Sequence, residues 1–350
     1  MTVPHGWLIL DKPVGLGSTQ AVGAVKRNLR EAGYGKVKVG HGGTLDPLAS
    51  GVLPIALGEA TKLAGRLLDS DKVYEFTVAF GAETDTLDLE GKVVAESEVR
   101  PTLAEIEAIL PRFTGAIEQV PPAYSALRVD GARAYDLARA GEEVVLKSRQ
   151  VTVHALHISS PLVGEDSEAC SPGELAQLGE GAAVAPGLAP SPTPASEQAR
   201  KPAYPLPQGE RRDTITLVAH VSKGTYIRSL ARDIARALGT VGHVTYLRRT
   251  RAGPFGLDTA ISLDMLNEIG KGARLENSLL PLEAGLDGIP ALDLGPEQAR
   301  AVHQGRVLTG LAFQDGVCWA RSGGKPLALL QIEGGNATVL RGFNLNDTAE

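Results

Sequence analysis

The sequence predicts an α/β fold in which strands with one buried face alternate with amphipathic helices. Residues 72–80 alternate apolar and polar side chains, as a half-buried strand does, and residues 214–222 repeat this pattern. Residues 18–30 and 225–238 instead place apolar side chains at helical spacing. With 350 residues, 43% of them hydrophobic, the chain is long enough for one large domain and a smaller one.

The N-terminal segment predicts a short strand that leads into the first helix. Residues 7–10 are apolar, and Asp11-Lys12-Pro13 ends them in a turn. Ser18 is positioned to cap the following helix. The stripe that this helix is expected to bury consists of Ala21, Val22, Val25 and Leu29.

Later elements follow from caps, alternation and helix polarity. Residues 102–110 begin with a Thr-x-x-Glu capping box and predict a helix. Residues 150–158 predict a strand, on which His154 and His157 are expected on opposite faces, so a shared metal is not predicted. Arg228 falls near the start of the 225–238 helix, where the macrodipole disfavours a cation, and this favours a carboxylate or phosphate partner.

Charge is distributed unevenly along the chain. The net charge of −6 at first argues against an RNA partner. Residues from about 161 to 212 are rich in Ala, Pro, Gly, Ser and Glu without periodicity, which predicts a disordered or loosely ordered insertion between two strands. Six acids and no base lie in 161–199, whereas 213–255 holds seven bases against two acids. A local basic face is therefore available, although such clusters are often only solvated helix faces.

Other features of the sequence limit the compartment and the class. No apolar run of about eighteen residues and no secretory pattern at the N-terminus occur, so a cytoplasmic location is expected. Cys170 and Cys318 lie far apart and predict reduced thiols, with no disulfide framework and no metal cluster. No G-x-G-x-x-G follows a strand, so a dinucleotide-dependent dehydrogenase is unsupported.

One stretch, residues 41–55, sets a single carboxylate in a glycine-rich turn. Asp46 lies between the Gly42-Gly43 pair and Pro47, and an apolar segment without a second charge follows, as in a loop that enters the core. Proline restricts the backbone at Asp46, and glycines allow a ligand to approach closely. Asp46 is therefore predicted to face a ligand, and the alternative is an aspartate that caps a turn.

This stretch resembles the motif G-H-x-G-x-L-D-P-x-A-x-G-V-L-P of the TruB family of pseudouridine synthases, with Gly42 where many relatives carry Thr. The resemblance implies that Asp46 is the catalytic aspartate and that His41 lies beside the bound nucleotide. Residues 11–15 agree with the family's Asp-Lys-Pro-x-Gly companion motif, which makes Lys12 a substrate-binding candidate.

Two further motifs resemble the same family. Lys72-x-Tyr74 is similar to its second motif, whose tyrosine packs against the target base. The segment 223–230 is similar to its third motif, in which an arginine pairs with the catalytic aspartate and a tyrosine borders the nucleotide. The resemblance therefore implies catalytic roles for Tyr74 and Arg228 and a substrate contact for Tyr226.

Weaker matches add two substrate-binding candidates. In residues 243–249, Leu247 stands at the position of the family's base-pocket leucine. Residues 119–135 also resemble the family, with Arg128 where lysine is usual. Arginine holds a phosphate through a planar fork, so its contact geometry is expected to differ from that of lysine.

The resemblance covers about 7–160 and 213–253 and implies a catalytic domain at 1–255 with a mixed, largely antiparallel sheet flanked by helices. Residues 256–288 are expected to form a helical linker with turns. Residues 289–350 contain short apolar segments between glycine turns and predict a small β-rich domain that resembles a PUA-like domain.

The activity that the resemblance implies is isomerisation of uridine 55 in the T-loop of tRNA by a monomer, without cofactor, metal or guide RNA. Tyr74 is suited to stack on an extruded base, and its hydroxyl to proton transfer at carbon 5. Asp46 can attack the ribose, assist removal of a ribose proton or add to the base, and these routes remain open. The alternatives are an RNA-binding or tRNA-folding protein and a guide-dependent rRNA pseudouridine synthase.

Overall fold

The computed structural model describes residues 3–125, 127–129, 132–141, 146–159 and 210–345. The predicted insertion at 161–212 therefore lies almost wholly outside the described residues, as does the side chain of Arg128. Within the described ranges, no helix is both long and apolar enough to span a membrane.

The described residues form eighteen strands and seven α-helices. In chain order the strands are β1 (Gly6–Lys12), β2 (Val39–His41), β3 (Ser50–Leu57), β4 (Lys72–Phe80), β5 (Ala82–Thr84), β6 (Val93–Glu96), β7 (Gly115–Gln119), β8 (Arg128–Val129), β9 (Ala132–Arg133), β10 (Arg149–Ile158), β11 (Thr214–Val221), β12 (Gly242–Ala252), β13 (Phe255–Gly256), β14 (Leu279–Leu280), β15 (Ala291–Asp293), β16 (Gly316–Ser322), β17 (Lys325–Glu333) and β18 (Asn336–Gly342). The helices are α1 (Ser18–Glu31), α2 (Ala64–Asp69), α3 (Leu103–Ile109), α4 (Ala134–Arg139), α5 (Ile227–Ala237), α6 (Leu263–Gly270) and α7 (Pro296–His303).

Ten of these strands form one mixed sheet. Its path runs β14-β1-β3-β12-β4-β11-β10-β7, with β2 paired to β3 and β13 paired to β12. The β3–β12 pair is parallel, and the other described pairs of this sheet are antiparallel. The predicted mixed, largely antiparallel sheet flanked by helices is therefore confirmed.

The parallel pair brings the segment after Asp46 against β12. Gly51 lies opposite Arg249 in this pair and has a φ of +100°. A Cβ at Gly51 would lie 2.1 Å from the carbonyl oxygen of Arg249, so a larger residue cannot occupy this position without a shift of the backbone. The glycine in the motif is thus required by the approach of two strands.

Helices cover different parts of the main sheet. α1 and α6 pack on β1 and β3, and this cluster includes Leu8, Val25 and Leu266. α3 and α5 pack on β4 and β11, where the cluster includes Phe76 and Leu230. Residues that alternate with the buried ones on β4 and β11, such as Thr77 and Thr216, are only half-buried. This alternation is the one predicted for residues 72–80 and 214–222.

The C-terminal strands form a separate four-stranded sheet in the order β15-β16-β17-β18, packed by α7. Three of these strands contain the short apolar segments predicted in residues 289–345. The sheet also contacts the main sheet, because Leu329 and Phe343 share a buried cluster with Trp7. The likeness of this region to a PUA domain stays a prediction.

One predicted cap is wrong. The N-cap of α1 is Gly17, whose N–H donates to Oε1 of Gln20 at 2.8 Å. The hydroxyl of Ser18 instead donates to the carbonyl of Leu45 at 2.9 Å and accepts from the N–H of Leu45 at 2.8 Å. Ser18 therefore holds the loop that carries Asp46, because a hydroxyl can serve as donor and acceptor at once.

Candidate functional site

An open cleft with a volume of about 750 Å³ lies over the main sheet. Tyr74 on β4 and Leu247 on β12 line this cleft, and both side chains pack against the two clusters buried under α1 and α5. Asp46, Tyr226 and Arg228 also line it. Binding sites for small ligands have volumes of roughly 300–1,000 Å³. The cleft is therefore large enough for a nucleotide, and five of the predicted site residues meet there.

The loop that carries Asp46 is held through its backbone. The buried Lys12 donates from Nζ to the carbonyls of Pro13 at 2.9 Å, Leu16 at 2.7 Å and Pro47 at 3.3 Å. Because an ammonium group has three donors, this arrangement uses all of them and fixes the residue that follows Asp46. Lys12 does not line the cleft, so its predicted substrate contact remains a prediction.

Arg249 holds the same loop from β12. Its side chain is almost fully buried and donates from Nε to the carbonyl of Val52 at 2.8 Å. Its Nη1 and Nη2 donate to the carbonyls of Thr44 at 3.4 Å and Gly43 at 3.3 Å. A buried guanidinium requires such acceptors, since an unpaired charge in the interior is costly. Arg249 thus ties both sides of Asp46 to the sheet.

His41 lies beside this loop but does not line the cleft. Its Nδ1 accepts from the N–H of Gly43 at 3.4 Å. Burial lowers the pKa of His41, and the nearby charge of Arg249 lowers it further. Burial likewise lowers the pKa of Lys12 to about 8, against the opposing charge of Asp46. The contact of His41 with a nucleotide stays a prediction.

Arg228 joins two carboxylates at the cleft. Its Nη2 lies 3.0 Å from Oδ2 of Asp46, and its Nη1 lies 3.0 Å from Oδ2 of Asp88. The same guanidinium donates to the carbonyls of Thr86 at 2.9 Å and Tyr124 at 3.0 Å. The side chain of Asp88 is 10% exposed and that of Asp46 is 47% exposed. One carboxylate is therefore buried to fix the arginine, and the other remains open to a ligand.

The N-terminus of α5 is fixed by a buried glutamine. Gln119 on β7 accepts at Oε1 from the N–H of Tyr226 at 2.8 Å and donates from Nε2 to the carbonyl of Tyr226 at 3.1 Å. Tyr226 is the N-cap residue of α5, and Arg228 is the second residue of the helix. These two hydrogen bonds therefore fix the start of the helix that carries Arg228, at which Tyr226 lines the cleft.

The guanidinium of Arg149 covers the ring of Tyr226, with Cζ 4.7 Å from the ring centroid. Its Nε and Nη2 are shielded from solvent and have no hydrogen-bond partner among the described residues. A cation placed on an aromatic face gains about 0.5–2 kcal/mol, but this contact leaves the N–H donors unused. Arg149 does not line the cleft, so an acceptor from a ligand can reach these donors only after the side chain moves. Sequence reasoning missed it because it begins a strand without any motif.

Asp88 and Arg249 were also missed as site residues. The sequence places Asp88 in an acidic turn whose spacing requires no pairing with Asp46, and its link to Arg228 spans 140 residues. Arg249 was counted only as one base in a basic segment. The available signal was an arginine within a predicted strand, because an arginine that is buried there needs specific partners.

Five of the seven bases in residues 213–255 are paired with acids, four of them with acids from other parts of the chain. Ion pairs join Lys223 to Asp69, Arg236 to Glu83 and Arg248 to Asp11, in addition to the pairs of Arg228 and of Arg232 with Asp233. The count along the sequence could not include these acids, because only folding brings them to the bases. Arg249 and Arg251 have no acidic partner among the described residues, so a basic face in this segment stays a prediction.

Within the described ranges, one group of side chains has metal-ligand spacing: Asp71, His154 and His220. None of the three lines the cleft. The cleft thus contains an accessible carboxylate, an arginine and a tyrosine in contact with or beside one another, which is a set of groups for nucleophilic or acid–base chemistry. Fold and site together define an enzyme.

Comparisons with known proteins give its family. The model described as "TruB family pseudouridylate synthase (N terminal domain)" matches residues 29–163, and that of the "tRNA pseudouridylate synthase B C-terminal domain" matches residues 228–287. A protein of Novosphingobium aromaticivorans named tRNA pseudouridine synthase B is 62% identical over 99% of each chain. Another of that name from Zymomonas mobilis is 51% identical over 97% of this chain and 96% of its own. The chain belongs to the TruB family of pseudouridylate synthases.

Solved structures are similar in fold over nearly the whole chain. The crystal structure of a Cbf5-Nop10-Gar1 complex contains a chain with a TM-score of 0.64, 23% identity, and coverage of 97% of this chain and 85% of that one. A chain of an H/ACA RNP bound to a substrate RNA containing 2'-deoxyuridine has a TM-score of 0.63 and 22% identity, covering 98% of this chain and 86% of that one. At this identity the likeness supports the shared fold.

Proposed function

We propose that this enzyme isomerises uridine 55 in the T-loop of tRNA to pseudouridine, acting as a monomer without guide RNA. The observation that carries the proposal is the half-exposed carboxylate of Asp46, 3.0 Å from the guanidinium of Arg228 in an open cleft. The names of the relatives support tRNA as the substrate. The two alternatives are a tRNA-folding protein with an incidental site and a guide-dependent rRNA enzyme.

The chemistry of this isomerisation matches the groups in the cleft. The bond between N1 and C1′ breaks, a bond between C5 and C1′ forms, and a proton leaves C5 while N1 gains one. Because product and substrate are isomers, the reaction consumes no oxidant, reductant or second substrate. Asp46 is the nucleophile or the base in each of the three routes that remain open.

Access to the uridine requires that it leave the stacked loop. Unstacking costs a few kcal/mol, which contacts to the rest of the RNA must offset. Tyr74 is half-buried and lines the cleft, so its ring can stack on an extruded base. Leu247 lies across from Phe76 in the same strand pair and contributes an apolar wall. Arg228 then holds the carboxylate of Asp46 toward the sugar.

Phosphate binding is assigned to Arg149 under this proposal. Arg149 lies over Tyr226, which lines the cleft, and its Nε and Nη2 have no hydrogen-bond partner among the described residues. Arg149 itself does not line the cleft, so its side chain must move outward to meet a phosphate. Arg232, Arg236 and Arg248, by contrast, are paired with acids. A guanidinium binds phosphate oxygens through a planar fork. A strand of RNA entering the cleft would therefore contact Arg149 with its backbone and Tyr226 with a nucleoside.

The deciding experiment is incubation of an unmodified tRNA transcript with the purified protein alone, followed by mapping of pseudouridine. Product at position 55 is expected without added RNA. A transcript with cytidine at position 55 and the Asp46→Asn protein serve as controls for site and chemistry. Product only after a guide RNA is added would favour the rRNA enzyme, and binding without product would favour the tRNA-folding protein.

A further inference from the structure

Three side chains on the half-exposed face of the main sheet meet at the start of β4. Asp71 precedes β4, His220 lies near the end of β11, and His154 lies in the middle of β10. Nε2 of His154 is 3.3 Å from Oδ2 of Asp71, and Nε2 of His220 is 3.9 Å from the same oxygen. The two imidazole rings have centroids 4.8 Å apart. Two adjacent strands and the residue that precedes a third thus each contribute one group to a single point.

A break in strand register produces this arrangement. The β10–β11 pairing shifts between Val153 and Ala155, so that Val153 lies opposite Val221 and Ala155 opposite His220. His154 is the extra residue of this bulge. Bulges re-aim a side chain, and here the bulge turns His154 toward His220. The strand alternation that predicted His154 and His157 on opposite faces does not hold across such a bulge.

From these distances we propose that Asp71, His154 and His220 bind one divalent transition-metal ion such as zinc, cobalt or nickel. Metal–ligand bonds of about 2.0–2.1 Å at tetrahedral angles separate ligand atoms by roughly 3.4 Å. The three ligand atoms all lie within 4.8 Å of one another, so movements of side-chain ends by about an ångström bring them to that spacing. Two nitrogens and one oxygen favour these metals over magnesium or calcium.

The charges around the three side chains moderate the affinity for a cation. Arg251, whose guanidinium donates from Nε to the carbonyl of Gly253, is a nearby positive charge that repels an ion. Asp71 supplies the one negative charge.

The ion would join three strands beside the cleft without entering it. Asp71 is followed by Lys72, which lines the cleft. The carbonyl of Asp71 accepts from the N–H of Gly253 at 2.9 Å. Segments that lead to Tyr74 and to Arg228 would then be tied together at one point. This role is structural, and it stands whether or not the proposed substrate is correct.

The test uses the full chain, stripped of metal, with Cys170→Ser to remove the one thiol outside the described residues; Cys318 is buried. Zinc binding is measured by titration calorimetry and cobalt binding by visible absorption at pH 7.5. One ion per chain is expected. At zinc concentrations about 100-fold above the dissociation constant, the unfolding temperature should rise by about 4 °C.

Variants locate the ion. His154→Ala and His220→Ala should each weaken zinc binding by at least about tenfold, and Asp71→Asn should weaken it as well. His157→Ala is the matched control, because His157 is an exposed histidine on the same strand outside the group. Unfolding temperatures without metal verify that each variant folds. Zinc affinity that survives His154→Ala/His220→Ala, or no saturable binding to the parent protein, overturns the proposal.

Discussion

The two sides of the cleft are fixed by different kinds of interaction. On one side, Lys12 and Arg249 hold the Asp46 loop entirely through backbone carbonyls. On the other side, Arg228 is held by the buried carboxylate of Asp88 in addition to two backbone carbonyls. Because these backbone contacts hold the loop, the carboxylate of Asp46 is not needed to anchor it. Its side-chain partner, Arg228, comes from the opposite side of the cleft.

This division explains why Asp46 can be both fixed in place and accessible. A carboxylate that anchors a loop must be buried among donors, as Asp88 is, and is then closed to a substrate. Here the anchoring is done by buried cations below the loop.

The largest effect is expected for Asp46→Asn. The change removes charge with little change in volume, so turnover should fall at least about 1,000-fold, or about 4 kcal/mol in barrier, while the fold and most tRNA affinity remain. Single-turnover rates and a tRNA binding curve measure the two quantities. Asp213→Asn, at an exposed aspartate paired with Arg100, is the control. Activity within tenfold of the parent would sink the nucleophilic role of Asp46.

Asp88→Asn tests how Arg228 is held on its side of the cleft. It leaves a buried guanidinium without its buried counter-charge, which costs about 3 kcal/mol of unfolding free energy. It should also lower kcat by about 10–100-fold with little change in KM, because Arg228 would no longer hold Asp46. Glu83→Gln breaks the ion pair between Glu83 and Arg236 of α5, and it is a matched control that should lower stability alone. Equal kcat in both variants would show that Asp88 only stabilises the fold.

Lys12→Met tests the backbone side of the comparison. Three carbonyls would lose their donor, so unfolding free energy should fall by about 2 kcal/mol. The folded-state pKa of Lys12 is lowered from 10.5 to about 8, so between these pH values the unfolded chain binds more protons. The parent protein should therefore gain stability relative to Lys12→Met as pH rises from 8 to 10.5. Denaturant unfolding across that range measures the difference, and a shrinking gap would contradict the assignment.

Arg149→Met should weaken tRNA binding by about 3–10-fold and reduce the salt dependence of binding by about one ion, since one phosphate contact is lost. The chemical step, measured at saturating tRNA, should change little. Arg321→Met removes an arginine of the C-terminal sheet that is paired with Asp293, and serves as the control. An unchanged salt slope would place the phosphate contact elsewhere.

The smallest effect is expected from deletion of residues 165–208. Strands β10 and β11 pair up to Ile158 and Leu217, so the sheet does not depend on that segment for its pairing. Turnover should be retained. The loss of uncompensated acids should tighten tRNA binding modestly at low salt and less at high salt. Equal affinities at every salt would mark the segment as a neutral spacer, and loss of folding would show that it belongs to the core.

Local patterns predicted the elements well because their causes are local. The alternation in residues 72–80 and the capping box at Thr102 gave β4 and α3. The position of Arg228 at a helix start indicated a carboxylate partner, and the structure gives it two. The Ser18 cap failed because a hydroxyl has competing partners, and the loop 27 residues away supplies both a donor and an acceptor.

The sequence by itself determined the family, the mixed sheet and the loop that carries Asp46, because motif order and side-chain period are properties of the chain. Only the tertiary structure decided what surrounds them. It pairs Asp88 with Arg228, buries Arg249 under the loop, pairs Arg236 with Glu83 and brings His154 to His220 through a bulge. These contacts join residues many positions apart, and their energies depend on burial and distance, which the order of residues does not specify.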